Sequence, residues 1–423
     1  MKRVAPTPMH VYQTPAFELQ CNWLILEIAI NILQHLYFTD VASFGLSCKQ
    51  AYDLIKTEDF WPKFNDTVFS SNEPPEKLNP KRKFKIYSNL IQNQFCQKSI
   101  EPEGCESIGC RIVWQDQLVI LSKPVGFARL GNPMSRLDRI DLKKLKIMTG
   151  RSAKDYYLPC EFIGCQDRVV IASKKGELNI TSIRKASASD KSYHHLQIWA
   201  RLACDPEHGI VAAADEKGTI LVWKIEEEPA PSQIFSIPVD KIDDLSVSHD
   251  AVVVRARKQI FSLHHSSEKL ISKKRVLPDV SHATVYQDLL VTSHNEILSD
   301  EDIAPIVKIW DAKTLELKEA INLARLSWSV NPRQDMDSWG CCNWTKPCME
   351  GVFVSQVSRG DETGGFIVIW NLKTKKGSVL EDVDPENDEH DFLIHDGNFI
   401  TTDYYHANVL KLFDFSDVQE AVK

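Results

Sequence analysis

HGIVAAAD (208–215), the turn residues Glu216 and Lys217, and then GTILVWKI (218–225) form the passage on which the fold turns. Each run is a short β-type segment bounded by turn residues, and an aromatic, Trp223, stands inside the second. The same unit recurs through the chain. Its first runs are QDQLVILS (115–122), QDRVVIAS (166–173), HDAVVVRA (249–256), YQDLLVTS (286–293), MEGVFVSQ (349–356) and HDGNFITTD (395–403). Most are followed, after a polar or Gly-containing turn, by a partner: GELNITSI (176–183), KQIFSLHH (258–265), IVKIWDAK (306–313), GFIVIWNL (365–372) and NVLKLFDF (408–415). In the first unit a longer insertion precedes the partner, LDRIDL (137–142). Second runs place an aromatic at one point, as Trp223, Phe261, Trp310, Trp370 and Phe413 do. Such residues suit strands packed face to face between neighbouring sheets.

Residues 105 to 415, shared among seven units, give about 44 each, within the ~40–45 of a four-stranded WD40 blade. Six units would need about 52 and eight about 39, so seven fits best. The array resembles a degenerate WD40 β-propeller. It departs from that pattern in having no Gly-His dipeptide and only one complete Trp-Asp ending, at Ile309-Trp310-Asp311. Those losses put the hydrogen-bond network inside each sheet in question, not the strand count. Few residues follow Phe415, so an upstream strand within 95–112 is expected to complete the last sheet and remove its open edge. A β-sandwich is the competing architecture, but seven hairpin units exceed its usual need.

Upstream the period changes. From Leu24 to Tyr37, Glu27, Asn31, Gln34 and His35 share one arc of a helical wheel, while the apolar arc spans about 200°. A small domain needs about half that width for its own core, so a second protein is expected to cover the surplus. Thr39 and Asp40 cap a further helix whose inward face is Val41, Phe44, Cys48, Ala51, Tyr52 and Ile55, closed by Phe60 and Trp61. SSNEPPEKLNP (70–80) is a linker, and the helix after it carries Phe84, Tyr87, Leu90, Ile91 and Phe95 on one side. Its Lys81–Lys85 cluster reads as a solvated basic face.

The series Leu24-x2-Glu27-Ile28-x3-Ile32-Leu33-x2-Leu36-x3-Asp40-Val41-x6-Cys48-Lys49, completed by Trp61, resembles an F-box. Every spacing of the family pattern holds, and one residue departs: Ile25 stands where a proline usually fixes the turn into the first helix. The expected organisation is a flexible N-terminus (1–20), a small all-α F-box domain (21–64), a linker with an amphipathic helix (65–104), and an all-β, seven-bladed WD40-like propeller (105–423).

The resemblance implies the substrate-recognition subunit of an SCF-type cullin–RING ubiquitin ligase. Its partners would be a Skp adaptor, the cullin scaffold and a target protein that is phosphorylated or acidic. Leu24, Ile25, Ile28, Ile32, Leu33 and Leu36 would supply the adaptor interface, with Val41 and Trp61 bracing it. F-box proteins of the WD-repeat class hold their targets on the loop face, often through Arg or Lys. The basic residues at the turns between the two main runs are Lys174, Lys175, Arg255, Arg257, Lys258 and Arg359. Arg255 and Arg257, two apart, are expected to share one strand face and grip an anion with planar forks. A non-ligase interaction scaffold is the alternative.

Composition narrows the remaining classes. A net charge of −8 argues against a nucleic-acid partner. No apolar run is long enough to span a bilayer and no secretory signal opens the chain, so cytosol or nucleus is expected, including a host cytosol for a bacterial effector. The eleven cysteines lack C-x2-C pairs and read as buried thiols, with no metal and no cofactor. No phosphate-binding loop, dinucleotide fingerprint, H-E-x-x-H or G-x-S-x-G occurs, so a non-catalytic protein is expected.

Overall fold

The computed structural model describes residues 30, 33, 41, 49–57, 60–68, 79–92, 96–102, 105–114, 117–124, 136–141, 146–152, 159–166, 168–173, 177–182, 191–194, 199–225, 233–239, 241–264, 272–277, 279–297, 303–328, 339–349, 351–359, 365–380, 392–395, 398–402 and 410–415. The chain divides into two compact units, Met1–Ser88 and Asn89–Lys423. The division falls inside the expected linker helix.

In the first unit, α1 (Lys49–Ile55) and α2 (Phe60–Val68) precede α3 (Pro80–Ile91), which runs on into the second unit. Asn79 starts α3: its Oδ1 accepts the Lys81 N–H at 2.9 Å, and Pro80 occupies the first-turn position where its missing N–H costs nothing. The Asn65 side-chain amide donates to the Pro80 carbonyl at 2.9 Å, and the Phe64 and Phe84 rings meet edge-on at 4.6 Å. These contacts tie α2 to α3 by both a polar and an aromatic bond.

The second unit is built of small, almost wholly antiparallel sheets. β1 (Cys96–Ile100) comes first in the chain. Sheet I holds β2 (Cys105–Trp114), β3 (Gln117–Pro124), β4 (Arg136–Asp141) and β5 (Lys146–Ser152). Sheet II holds β6 (Pro159–Cys165), β7 (Arg168–Ser173), β8 (Glu177–Ser182) and β9 (Lys191–His194). Sheet III holds β10 (Trp199–Asp205), β11 (Ile210–Asp215), β12 (Thr219–Lys224) and β13 (Gln233–Ser236). Sheet IV holds β14 (Asp244–Val247), β15 (Ala251–Ala256), β16 (Gln259–His264) and β17 (Ser272–Val276). Sheet V holds β18 (Val280–Tyr286), β19 (Leu289–Ile297), β20 (Ile303–Asp311) and β21 (Leu317–Asn322). Sheet VI takes in β22 (Ser327–Trp328), β23 (Trp339–Met349), β24 (Val352–Arg359), β25 (Gly365–Asn371) and β26 (Lys376–Leu380). Sheet VII holds β27 (Phe392–His395), β28 (Asn398–Thr402) and β29 (Leu410–Asp414), and its fourth strand is β1, paired antiparallel with β29.

Apart from β1 and β22, strands follow one another as a meander within each sheet, and the strand that opens each meander lies against the one that opens the next. β2 touches β6, β6 touches β10, and the series runs through β14, β18, β23 and β27 back to β2. In sheet VI the short β22 adds a parallel fifth strand outside β26. Gly377 permits that approach, because a Cβ there would lie 2.8 Å from the Leu326 side chain and 3.2 Å from Trp328.

The core lies between sheets. Val170, Ala172 and Leu178 of sheet II pack on Val211, Ala213, Leu221 and Trp223 of sheet III. Further apolar clusters join III to IV, IV to V and V to VI. Hydroxyls thread the last of these joints. Trp310 Nε1 donates to Thr292 Oγ1 at 2.7 Å, and His294 Nε2 lies 2.7 Å from the same hydroxyl. Trp370 Nε1 donates to Ser355 Oγ at 2.9 Å, and Ser355 continues through Thr345 to Ser293 across the sheets. A network of this kind therefore exists without any Gly-His dipeptide.

The turns after the aromatic strands share a geometry. Asp311 Oδ1 accepts the N–H groups of Lys313 and Thr314, and Asn371 Oδ1 accepts those of Lys373 and Thr374. Leu315 and Lys375 then take the left-handed conformation, each with φ 55°. Asn371 thus replaces the missing Asp of a Trp-Asp ending without loss of the turn.

Candidate functional site

The expected anion-binding turn lies between β15 and β16, and the chain just ahead of β14 organises it. Asp243 and Asp244 stand where sheets III, IV and V meet. Arg201 of β10 donates from Nε to the Asp243 carbonyl at 2.7 Å, and the Ala283 N–H of β18 donates to Asp244 Oδ2 at 3.2 Å. Arg255 of β15 completes the cluster. Its Nε donates to Asp244 Oδ2, its Nη1 lies 3.6 Å from Asp243, and Nη1 also reaches the Val280 carbonyl at 3.4 Å. The Arg255 side chain is only 13% exposed.

This arrangement corrects the expectation that Arg255 and Arg257 form one gripping pair. The strand ends at Ala256, and Arg257 enters the turn with φ 53°, so the strand alternation does not reach it. Arg257 is exposed, its N–H held by Asp243 Oδ2 at 2.6 Å, whereas Arg255 is a fastener between sheets. Lys258 beside it is also exposed, and its carbonyl accepts the Leu277 N–H at 2.8 Å. Arg359 is the last residue of β24, opposite Trp339 of β23. Lys174 and Lys175 lie outside the described residues. The sequence reading did not find Asp243 and Asp244; two adjacent carboxylates at the start of a strand were the available signal.

Of the eight expected adaptor-binding residues, Leu24, Ile25, Ile28, Ile32 and Leu36 lie outside the described residues. Leu33 and Val41 are interior, 2% and 0% exposed, and so belong to the core of the chain rather than its surface. Trp61 is half-buried. Its ring meets Phe60 at 5.1 Å and Phe64 at 6.0 Å, both edge-on, and Lys81 Nζ sits 5.9 Å above it. One part of the indole is fixed by the aromatic cluster while another remains accessible.

Two of the thiols are pushed above their ordinary value. Burial pushes the Cys342 thiol up, and the Ser293, Thr345 and Ser355 hydroxyls offset only part of that. The Cys204 thiol is raised by its hydrogen bond with Cys165, and then by burial. Among the described residues no group of three or more His, Cys, Asp or Glu side chains is placed to hold a metal ion, and no helix is long and apolar enough to cross a membrane.

No curated protein matches the chain. Residues 23–63, which contain the whole series from Leu24 to Trp61, match the family model of the F-box domain, so the chain carries an F-box ahead of its β unit.

Proposed function

We propose that this protein is a substrate-recognition subunit of an SCF-type cullin–RING ubiquitin ligase. The F-box match over residues 23–63 carries the reading. In it, the apolar arc of the Leu24–Leu36 helix docks on a Skp adaptor, and the adaptor joins the chain to the cullin. The β unit is a seven-bladed WD40-like propeller. Support for that comes from the seven sheets, the cyclic order in which their first strands touch, and the closing pair of β1 with β29.

The chain contributes no nucleophile. It holds a target beside a ubiquitin-charged enzyme, and the gain is one of proximity and orientation. Arg257 and Lys258, exposed at a turn of sheet IV, remain candidates for contact with an acidic or phosphorylated target, and Arg255 supports that turn from beneath. The place of work is the cytosol or nucleus, where ubiquitin ligases of this type operate.

A pull-down with purified Skp adaptor tests the reading. The native chain should retain the adaptor, and Ile25→Asp with Ile28→Asp should abolish retention while the circular dichroism of the β unit is unchanged. Leu33 is a poor choice for this test because a charge at an interior position unfolds the helices. A native chain that fails to bind would make Ile25 decisive and leave a propeller scaffold that works without a ligase.

A further inference from the structure

The fourth strand of sheet IV, β17, reads Ser272-Lys273-Lys274-Arg275-Val276, and residues 273–276 are all exposed. Beside it the Asp311–Glu316 turn of sheet V leaves a notch of about 330 Å³, lined by Lys273, Lys274, Arg275, Thr314 and Leu315. No carboxylate lines this notch. Among the described residues none of the three cations has an ion-pair partner, in a chain whose net charge is −8. Two nearby carboxylates serve other lysines: Asp250 holds Lys313 at 2.7 Å, and Asp311 holds Lys318 at 3.1 Å, while the exposed Glu316 follows the notch-lining Leu315.

Single charges on edge strands commonly guard against unwanted pairing. A guard needs only a free, solvated side chain. Here two of the three are fixed. The Arg275 guanidinium lies 4.7 Å above the Trp310 ring, and its Nη1 donates to the Leu315 carbonyl at 2.5 Å. Lys274 Nζ lies 5.4 Å above Phe261. A stacked guanidinium keeps its remaining N–H edge open to a planar or tetrahedral anion, and its ordering is already complete before a ligand arrives. Two other outer positions differ. β26 is covered by β22, and on β21 Lys318 and Glu319 are both spent in ion pairs.

We propose that this notch docks the acidic side chains of a target segment lying along β17, with Lys273 and Arg275, two apart on the face towards sheet V, holding its carboxylate or phosphate groups, while Lys274, opposite Phe261, is turned towards sheet III. The inference rests on the reading of the β unit as the target-binding part of the protein. It puts a docking site on the outer edge of sheets IV and V, away from the turn that carries Arg257.

The test uses the full chain without adaptor, so it fails or succeeds independently of the pull-down. Fluorescein-labelled extended peptides are titrated by anisotropy: one rich in Glu, one with phosphoserine at two of the Glu positions, and one with Lys throughout. Both acidic peptides should bind, more weakly as salt rises, and the Lys peptide should not. Binding of the phosphoserine peptide alone would also support the site and make the docking phosphorylation-dependent. Lys273→Glu with Arg275→Gln should weaken binding at least about tenfold, and Lys224→Glu on sheet III should leave it unchanged. Lys273→Glu alone, which uncovers no ring, should still weaken it severalfold. Equal binding by the native and double-variant chains would overturn the proposal, as would tighter binding of a single-stranded oligonucleotide of matched charge.

Discussion

Thr292→Val tests whether the buried tryptophan–hydroxyl pairs hold the β unit together. Thr292 and Val have nearly the same shape, so the substitution opens no cavity. It removes an acceptor from Trp310 Nε1, 2.7 Å away, and a partner from His294 Nε2, also at 2.7 Å. All three side chains are buried. A buried polar group stripped of its partner costs about 1–3 kcal/mol, which is the loss expected for the Trp310 indole N–H. For a unit of this size, at about 2.1 cal/mol/K of unfolding entropy per residue, that corresponds to a fall in Tm of roughly 1.5–4 °C, read by calorimetry or by a circular dichroism melt. Thr292→Ser keeps the hydroxyl and should cost no more than about 1 kcal/mol for the lost methyl. The converse change sits in sheet III. Thr292 stands two residues beyond Leu290, which faces Trp310, and Ser355 stands two beyond Phe353, which faces Trp370. The corresponding place opposite Trp223 is Ala213, two beyond Val211, and Trp223 Nε1 is buried with no partner among the described residues. Ala213→Ser should therefore stabilise by up to about 1 kcal/mol. Equal melting of the native, Val and Ser chains at 292, together with a loss at Ala213→Ser, would refute the reasoning.

The Asp311 carboxyl is pulled up by burial, but the Thr314 N–H and the Lys318 ammonium outweigh that and bring it down to about 2. Its contribution is complete above the unfolded value of 3.8 and is lost as pH falls from there towards 2. Asp311→Asn should keep the turn, as Asn371 does in sheet VI, and should flatten an acid titration followed by circular dichroism in that window. Arg255→Ala leaves Asp244 half-buried without its partner and should cost about 2–3 kcal/mol in urea unfolding, whereas Arg257→Ala should stay within about 0.5 kcal/mol. Deleting residues 96–100 exposes the β29 edge that β1 covers, and also removes the Lys98–Asp414 ion pair at 3.0 Å. Multimers by size-exclusion chromatography are the expected result, and a monodisperse product would contradict it.

The strands that sequence could locate are the ones buried on both faces. All six residues of β11 are buried, and β15 and β25 are nearly so, which makes them continuous apolar runs between turns. The first and fourth strands are different. β13 is four residues long, β17 is dominated by three cations, and β23 carries Pro347 and shifts register three times along β24. Nothing in their composition separates them from loops; they are strands because a neighbour offers a ladder. The same limit explains Arg255. Alternation rightly puts residues 255 and 257 in phase on an unbroken strand, but the left-handed Arg257 breaks it, and the Asp244 partner comes from β14, a four-residue strand too short to read by period. The F-box series was legible for another reason: the match rests on which residues stand at fixed spacings, so it does not depend on how the strands pair.

The weakness of the repeat has a physical logic in these pairs. An indole N–H buried between sheets needs an acceptor, and the neighbouring strand supplies one as Thr292 or Ser355. A phenyl ring needs none. In sheet IV the aromatic is Phe261, facing Val254, and the residue two beyond is Ala256. Tryptophan and hydroxyl are absent there together, and the joint stays apolar. Their separate loss is the costly case, and sheet III is where it occurs, with Trp223 kept and Ala213 opposite. Asp and Asn exchange freely at 311 and 371 because the turn uses a side-chain oxygen, not a charge. A sheet can thus shed most of the residues that mark a repeat, provided that each polar group leaves with its partner, and the strand order survives a sequence in which only Trp310-Asp311 keeps the full ending.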